Sequence, residues 1–161
     1  KSVLNIGKRW AQPDMIKKIL ITITFFILGF FIAFFSESFF RGLIQNLYRW
    51  TTSDQIIFQG KNFYLFGSPL FHCGLAFTFV TLYLTHNNGF QTLKNTASGI
   101  LIFIFIVVGF SATDANLKIV ECTACDDGIR RLHWNDINYG LILGLSSILS
   151  VVPHLIKKLK K

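Results

Sequence analysis

Four long runs of uncharged, apolar residues constrain this chain more than any other feature of its sequence. They cover residues 19–35, 70–85, 97–112 and 137–156, and no Asp, Glu, Lys or Arg lies inside them. A helix needs roughly 20 apolar residues to cross a hydrocarbon core about 30 Å thick. The runs therefore predict an all-α integral membrane protein in which residues 1–161 form a single domain of four transmembrane helices.

The composition and the placement of charge agree with this class. Only 15% of the residues are charged, against about 25% in an average soluble domain. A net charge of +8 could indicate nucleic-acid binding, but here the basic residues flank the apolar runs instead of lining a polar face. We therefore expect the lipid bilayer as the main partner and no nucleic acid.

The division of charge between the two sides of the membrane predicts an orientation. Four spans place both termini on one side, which then holds ten basic residues and one acid, a net charge of +9. The other side holds six basic residues and seven acids, a net charge of −1. Because basic residues are enriched on the cytoplasmic side, both termini are expected to be cytoplasmic, in a bacterial inner membrane.

Two connecting segments have patterns of their own. Residues 36–50 carry apolar side chains at helical spacing, with Glu37, Arg41 and Gln45 on another face. This pattern favours an amphipathic helix lying in the membrane interface, and the alternative is that the first span continues as one longer, tilted helix. Residues 55–66 contain two short β-prone runs around a Gly-Lys-Asn turn and predict a hairpin.

The absence of Asp, Glu, Lys and Arg from the four runs limits the function. Charged side chains within membrane spans are typical of ion paths and proton relays. The sequence therefore argues against a pump or a transporter of charged substrates.

The fourth run has small residues at the spacing of a helix-packing face. Gly140 and Gly144 form a G-x-x-x-G pair, and Ser147 and the pair Ser146 and Ser150 extend the small-residue pattern. Such residues let a second helix approach closely within lipid. The second helix belongs either to the same four-helix bundle or to another subunit, including a second copy of the chain.

Reactive side chains gather in the polar loop between the third and fourth runs. Cys122 and Cys125 form a C-x-x-C pair on the predicted extracytoplasmic side, where disulfides persist. The pair is either a structural disulfide that braces the loop, a redox-active dithiol, or half of a metal site. A relay between two cysteine pairs would need a fourth cysteine, and the chain has three.

A zinc site would draw its ligands from several segments. His72 and Cys73 lie near the outer end of the second run, on the same predicted side as Cys122, Cys125 and His133. Structural zinc sites use four such ligands in a tetrahedral arrangement. These five residues are therefore the candidate metal ligands.

The histidines also suggest haem b as an alternative cofactor. His72 and His86 would lie roughly 21 Å apart on nearly the same face of one helix. His133 and His154 are the available axial partners, one on each side of the membrane. These four histidines are candidate haem ligands, although interfacial histidines more often contact water or lipid headgroups.

Two classes of function remain from the sequence. The first is an interaction or structural subunit of a membrane assembly, acting through its helix faces and its extracytoplasmic loop, with no cofactor. The alternative is an extracytoplasmic thiol-redox or metal-dependent enzyme, with zinc or haem b, built on Cys122 and Cys125. No catalytic residue can be assigned, because no nucleophile with its base is recognisable.

Overall fold

The computed structural model describes residues 13–52, 55–61, 67–85, 89–121 and 130–160. Over these residues the chain forms α1 (Pro13–Thr52), β1 (Ile57–Gln59), α2 (Pro69–Leu84), α3 (Gly89–Glu121), β2 (Arg131–His133), a 3₁₀ turn (Trp134–Asp136) and α4 (Tyr139–Leu159). Three helical segments, those containing α1, α3 and α4, are long and apolar enough to cross a membrane. The prediction of a helical membrane protein is confirmed to this extent, and α2 is a shorter apolar helix.

The four helices run alternately up and down the bundle. Glu37 on α1 contacts Ser68 before α2, whereas Phe25 on α1 stacks on Tyr83 near the other end of α2, so these two helices are antiparallel. Phe40 on α1 packs against Phe103 on α3. We call the end of the bundle that holds β1 and β2 the sheet end, and the end where α1 begins and α4 finishes the terminal end.

α1 is a single uninterrupted helix of 40 residues. It is about 60 Å long at 1.5 Å per residue, so a first span finishing at residue 35 and a separate interfacial helix over residues 36–50 are wrong. The alternative of one longer helix is the correct one. The helix continues because one buried stripe runs through the expected break: Ala33, Glu37, Arg41, Ile44 and Tyr48.

The hairpin predicted over residues 55–66 stays a prediction, because its second strand would lie at residues 62–66, outside the described residues. β1 pairs in parallel with β2, more than seventy residues further along the chain, with Phe58 opposite Leu132. The Phe58 ring stacks on Trp134 with a centroid distance of 4.2 Å. The Arg49 guanidinium lies 5.0 Å from the same indole ring, which joins the sheet to the end of α1.

Two glycines on α4 allow α2 and α4 to pack closely. A Cβ atom at Gly144 would lie 2.5 Å from Cγ of Leu70, and one at Gly140 would lie 3.1 Å from the Ser68 side chain. Ser147, also on this face, accepts a hydrogen bond at its carbonyl from the Thr78 hydroxyl at 2.8 Å. The small-residue face of α4 therefore lies against α2 of the same chain.

α4 is the most enclosed of the three long helices. In its most apolar window 44% of the residues are buried, against 11% for α1 and 17% for α3. α1 and α3 consequently present most of their apolar side chains outward, as helices that face lipid do.

Replacing Gly144 by Leu should destabilise the monomer rather than only an assembly. The new side chain would overlap Leu70, and overpacking of this kind costs about 1–3 kcal/mol. The matched control is Gly109→Leu, because a Cβ there meets nothing within 4 Å. Thermal unfolding in mild detergent should show a lower midpoint for Gly144→Leu alone, and equal midpoints would contradict the close α2–α4 contact.

Candidate functional site

A group of ionisable side chains is buried where α1 meets the beginning of α2. Glu37 and Arg41 lie four residues apart on α1 and therefore on one face of that helix. Their exposed fractions are 1% and 8%, and that of His72 on α2 is 3%. Together with Ser68 they form what we call the charged cluster. The four apolar runs contain no Asp, Glu, Lys or Arg, and Glu37 and Arg41 lie just beyond the first run. They are buried because α1 continues and turns this face toward α2.

The beginning of α2 supplies hydrogen-bond donors to the Glu37 carboxylate. The backbone N–H of Ser68 donates to Oε2 at 3.0 Å, and its hydroxyl donates to Oε1 at 3.0 Å. Pro69 follows as the first helical residue, a position where its fixed φ suits the helix. Since the N-terminal end of a helix carries partial positive charge, it stabilises a carboxylate placed there.

Arg41 links the Glu37 carboxylate to α4. Its Nε donates to Oε1 of Glu37 at 2.8 Å, and its Nη2 donates to Oγ of Ser68 at 3.2 Å. The guanidinium also lies over the ring of Tyr139, 4.6 Å from its centroid, in a cation–π contact. The Tyr139 hydroxyl accepts a hydrogen bond from Nε2 of Gln45 at 3.1 Å. One cation thus connects three helices.

His72 approaches the other oxygen of the Glu37 carboxylate. Its Nε2 lies 3.0 Å from Oε2, but the angle is not that of a hydrogen bond and Nε2 makes none among the described residues. The contact is therefore electrostatic and becomes an ion pair when the imidazole is protonated. Glu37 and Arg41 cancel each other's charge, so a protonated His72 would leave the charged cluster with one net positive charge.

Gly67 makes the tight turn into the charged cluster possible. Its φ is +70°, in the left-handed region that favours glycine. A Cβ atom at this position would lie 2.4 Å from Oε2 of Glu37 and 2.7 Å from Cε1 of His72. No other residue type fits here without moving the carboxylate or the imidazole.

A cavity of about 430 Å³ adjoins the charged cluster between the beginnings of α2 and α4. We call it the Arg41 cavity. α2 and α4 run in the same direction, so the N-terminal ends of both helices meet here and bring their partial positive charge to the cavity. The amides of Phe71, Tyr139 and Leu141 are themselves hydrogen-bonded to neighbouring residues. Its lining residues are Arg41, Gly67, Ser68, Pro69, Leu70, Asn135, Ile137, Asn138, Tyr139, Gly140 and Leu141.

The candidate zinc ligands are not brought together as far as the structure describes them. Cys122 and Cys125 lie outside the described residues, so the disulfide and redox predictions stay predictions. Cys73 is a free thiol on an exposed face of α2, while the neighbouring His72 is turned inward. Nδ1 of His133 accepts a hydrogen bond from the Asn135 backbone N–H at 3.1 Å. In the described part of the chain no three His, Cys, Asp or Glu residues form a metal-binding group.

The candidate haem ligands are similarly dispersed. His72 belongs to the charged cluster, and His86 lies outside the described residues. His154 is buried on α4 with 9% of its surface exposed, and its Nδ1 has no hydrogen-bond partner among the residues described. His133 sits in β2 at the sheet end. A haem site using two of them stays a prediction.

The sequence contained a signal for only half of the charged cluster. An acid and a base four residues apart, as Glu37 and Arg41 are, have the spacing of a helical ion pair. They were assigned to the polar face of an interfacial helix, and their burial was therefore missed. Ser68 and His72 had no such signal, because Ser68 lies 27 residues after Arg41 and His72 lies beyond it on α2, so only tertiary packing joins them to α1.

Comparison of the chain with protein-family models, with curated proteins and with solved structures found no match.

Replacing Glu37 by Gln should destabilise the protein strongly. The change leaves Arg41 buried without its counter-charge, and breaking one side of a buried ion pair costs about 3–5 kcal/mol. The double variant Glu37→Leu, Arg41→Met removes both charges and should recover most of that loss, since apolar replacement of a whole pair is often neutral. Unfolding by a denaturing detergent in mixed micelles measures both. If the double variant loses as much stability as Glu37→Leu and Arg41→Met measured singly and added together, the two side chains are not coupled.

Proposed function

We propose that the chain is a membrane-embedded binding protein that takes a small anionic group into the Arg41 cavity. The observation that carries this proposal is a buried guanidinium on the wall of a cavity. Ionisable residues within apolar helices are costly and usually belong to functional sites. A charged ligand was not expected from the sequence, because the four apolar runs contain no Asp, Glu, Lys or Arg. Glu37 and Arg41 lie outside those runs but are buried in the bundle, so this objection no longer applies.

A purely structural role would not require this chemistry. Removing a charge from water costs several kcal/mol even after the protein relaxes, and apolar side chains of similar volume hold helices together as well or better. α1 and α2 already pack closely without the pair, because a Cβ atom at Gly29 would lie 2.8 Å from Cα of Ala76. The ion pair is therefore not needed for the contact between the two helices.

The lining of the Arg41 cavity favours an acceptor-bearing ligand. Arg41 and Tyr139 line the cavity with a guanidinium and a hydroxyl, whereas both donors of Ser68 are used by Glu37, whose carboxylate is not among the lining groups. The positive ends of α2 and α4 also point at the cavity, which is the usual arrangement at anion sites. Leu70 and Leu141 form an apolar wall that suits a short organic portion. The volume lies within the range of roughly 300–1,000 Å³ typical of small-molecule sites.

An added negative charge in the Arg41 cavity should weaken anion binding. Asn135→Asp changes a lining residue by one charge at nearly constant size, and the repulsion should weaken binding about ten-fold. Asn116→Asp is the matched control, because Asn116 is an exposed residue of α3. The measurement is the rise in unfolding temperature with increasing inorganic phosphate, butyrate or a short-chain lipid phosphate, since ligands stabilise the folded state they bind.

The three probes separate the sources of the anion. Stabilisation by phosphate or butyrate indicates a free ion, and stabilisation by the lipid phosphate alone indicates a headgroup. If none of them stabilises the protein, or if both variants respond equally, the proposal is wrong and the charged cluster is only a structural brace.

We also propose that all four helices span the membrane with both termini in the cytoplasm of a bacterium. The charge division between the two sides supports this orientation, and Lys157 and Lys158 lie in the last turn of α4. In this arrangement the Arg41 cavity lies toward the extracytoplasmic side. The ligand would therefore enter from outside the cell.

Cysteine labelling tests the orientation. In a background without the three native cysteines, Arg131→Cys at the sheet end should react with a membrane-impermeant maleimide in intact cells. Lys160→Cys should react only after permeabilisation, because both positions are exposed but lie at opposite ends of the bundle. The reverse pattern of labelling would invert the proposed topology.

The two functions predicted from the sequence stay predictions. For the interaction subunit, the small-residue face of α4 is already occupied by α2, so contacts with another subunit would have to use other helix faces. For the thiol-redox or metal-dependent enzyme, Cys122 and Cys125 lie outside the described residues.

A further inference from the structure

A second, larger depression runs along the outside of the bundle between α1 and α3. We call it the α1–α3 groove. Its volume is about 740 Å³, and α2 together with Ser150 of α4 forms its floor. It extends from Phe25 to Phe40 along α1, or about 22 Å at 1.5 Å per residue. The other residues that the argument uses are Ile32, Thr78, Thr96 and Gly99.

The wall of the α1–α3 groove is hydrocarbon in character even where polar residues line it. The Thr78 hydroxyl donates to the carbonyls of Gly74 and Ser147 at 3.0 and 2.8 Å. The Ser150 hydroxyl donates to the Ser147 carbonyl at 2.7 Å. Because these hydroxyls are used inside the bundle, the groove offers methyl, methylene and aromatic groups to an occupant.

We propose that one acyl chain of an anionic phospholipid, from the leaflet at the terminal end, occupies the α1–α3 groove. The groove lies between outward-facing apolar residues of α1 and α3 such as Phe26 and Ile104, at the depth where hydrocarbon is the solvent. A partner helix does not fit inside it. A helix about 10 Å across and 22 Å long occupies about 1,700 Å³, more than twice the groove volume, whereas an extended acyl chain is narrow.

Two lysines at the terminal end of the α1–α3 groove determine which lipid headgroup is preferred. Lys18, Phe25, Ile32 and Phe39 are spaced seven residues apart and therefore share one face of α1. Lys18 is exposed and lies about 10 Å beyond Phe25 toward the terminal end. A lipid headgroup would lie at about this distance from the part of its acyl chain that contacts Phe25. Lys94 lies two residues before Thr96 on α3. These cations attract an anionic headgroup over a zwitterionic one.

Filling the groove tests the acyl-chain contact. A Cβ atom at Gly99 meets nothing within 4 Å, so Gly99→Phe should occupy the groove without displacing protein atoms. Gly109→Phe is the matched control, since Gly109 lies on the same helix with equally open space but outside the groove. The proteins are reconstituted in vesicles of phosphatidylglycerol and phosphatidylcholine, extracted in mild detergent and analysed by native mass spectrometry. Retained phosphatidylglycerol should fall about ten-fold or more in Gly99→Phe, because several methylenes lose their burial.

Removing one cation tests the headgroup contact. Lys18→Gln should reduce the preference for phosphatidylglycerol over phosphatidylcholine about five-fold, and Lys17→Gln, which lies off the groove face, should change it less. The proposal is overturned if Gly99→Phe and Gly109→Phe retain equal lipid, or if wild type shows no preference between the two lipids. It is also overturned if Gly99→Phe converts a dimer to a monomer, since a second copy then covers the groove. Equal unfolding temperatures of the two glycine variants show that both are folded.

Discussion

The buried Glu37 carboxylate is the group on which the start of α2 depends. It is buried within an apolar helix, and an ion in such surroundings persists only if its oxygens are fully used. The backbone amide and hydroxyl of Ser68 and the guanidinium of Arg41 supply those contacts. This requirement fixes where α2 begins, because the donors come from the residue that precedes its first turn.

Close backbone approach then fixes how the helices lie along one another. The lack of a side chain at Gly29 brings α1 against α2, and the lack of one at Gly144 brings α4 against Leu70. On α3, by contrast, a Cβ at Gly99 would meet no atom within 4 Å. The α1–α3 groove follows from this difference. Nearer the sheet end α3 contacts α1 directly, because Phe40 packs against Phe103 and Tyr48 donates a hydrogen bond to Asp114.

The two proposed sites have different linings and suit different chemistry. The Arg41 cavity combines a buried cation with the positive ends of two helices, and it suits a small anion. The α1–α3 groove has an apolar wall with cations only at its mouth, and it suits a lipid chain. Neither site uses Cys122 or Cys125, so the chemistry of the loop that contains them is a separate question from both.

The sequence by itself determined that the chain is a helical membrane protein, because only helices satisfy the backbone of long uncharged apolar runs in lipid. It also contained the small residues of α4, whose spacing indicates a packing face whatever the partner. The sequence did not determine which helix packs against this face. Only the tertiary structure identified that helix as α2. Residues 36–50 were misassigned for a related reason: amphipathic spacing shows that a helix has a polar face, but not whether that face meets water or a buried counter-charge. Only the tertiary structure decided this, by placing Ser68 and His72 against Glu37 and enclosing Arg41 beside Tyr139.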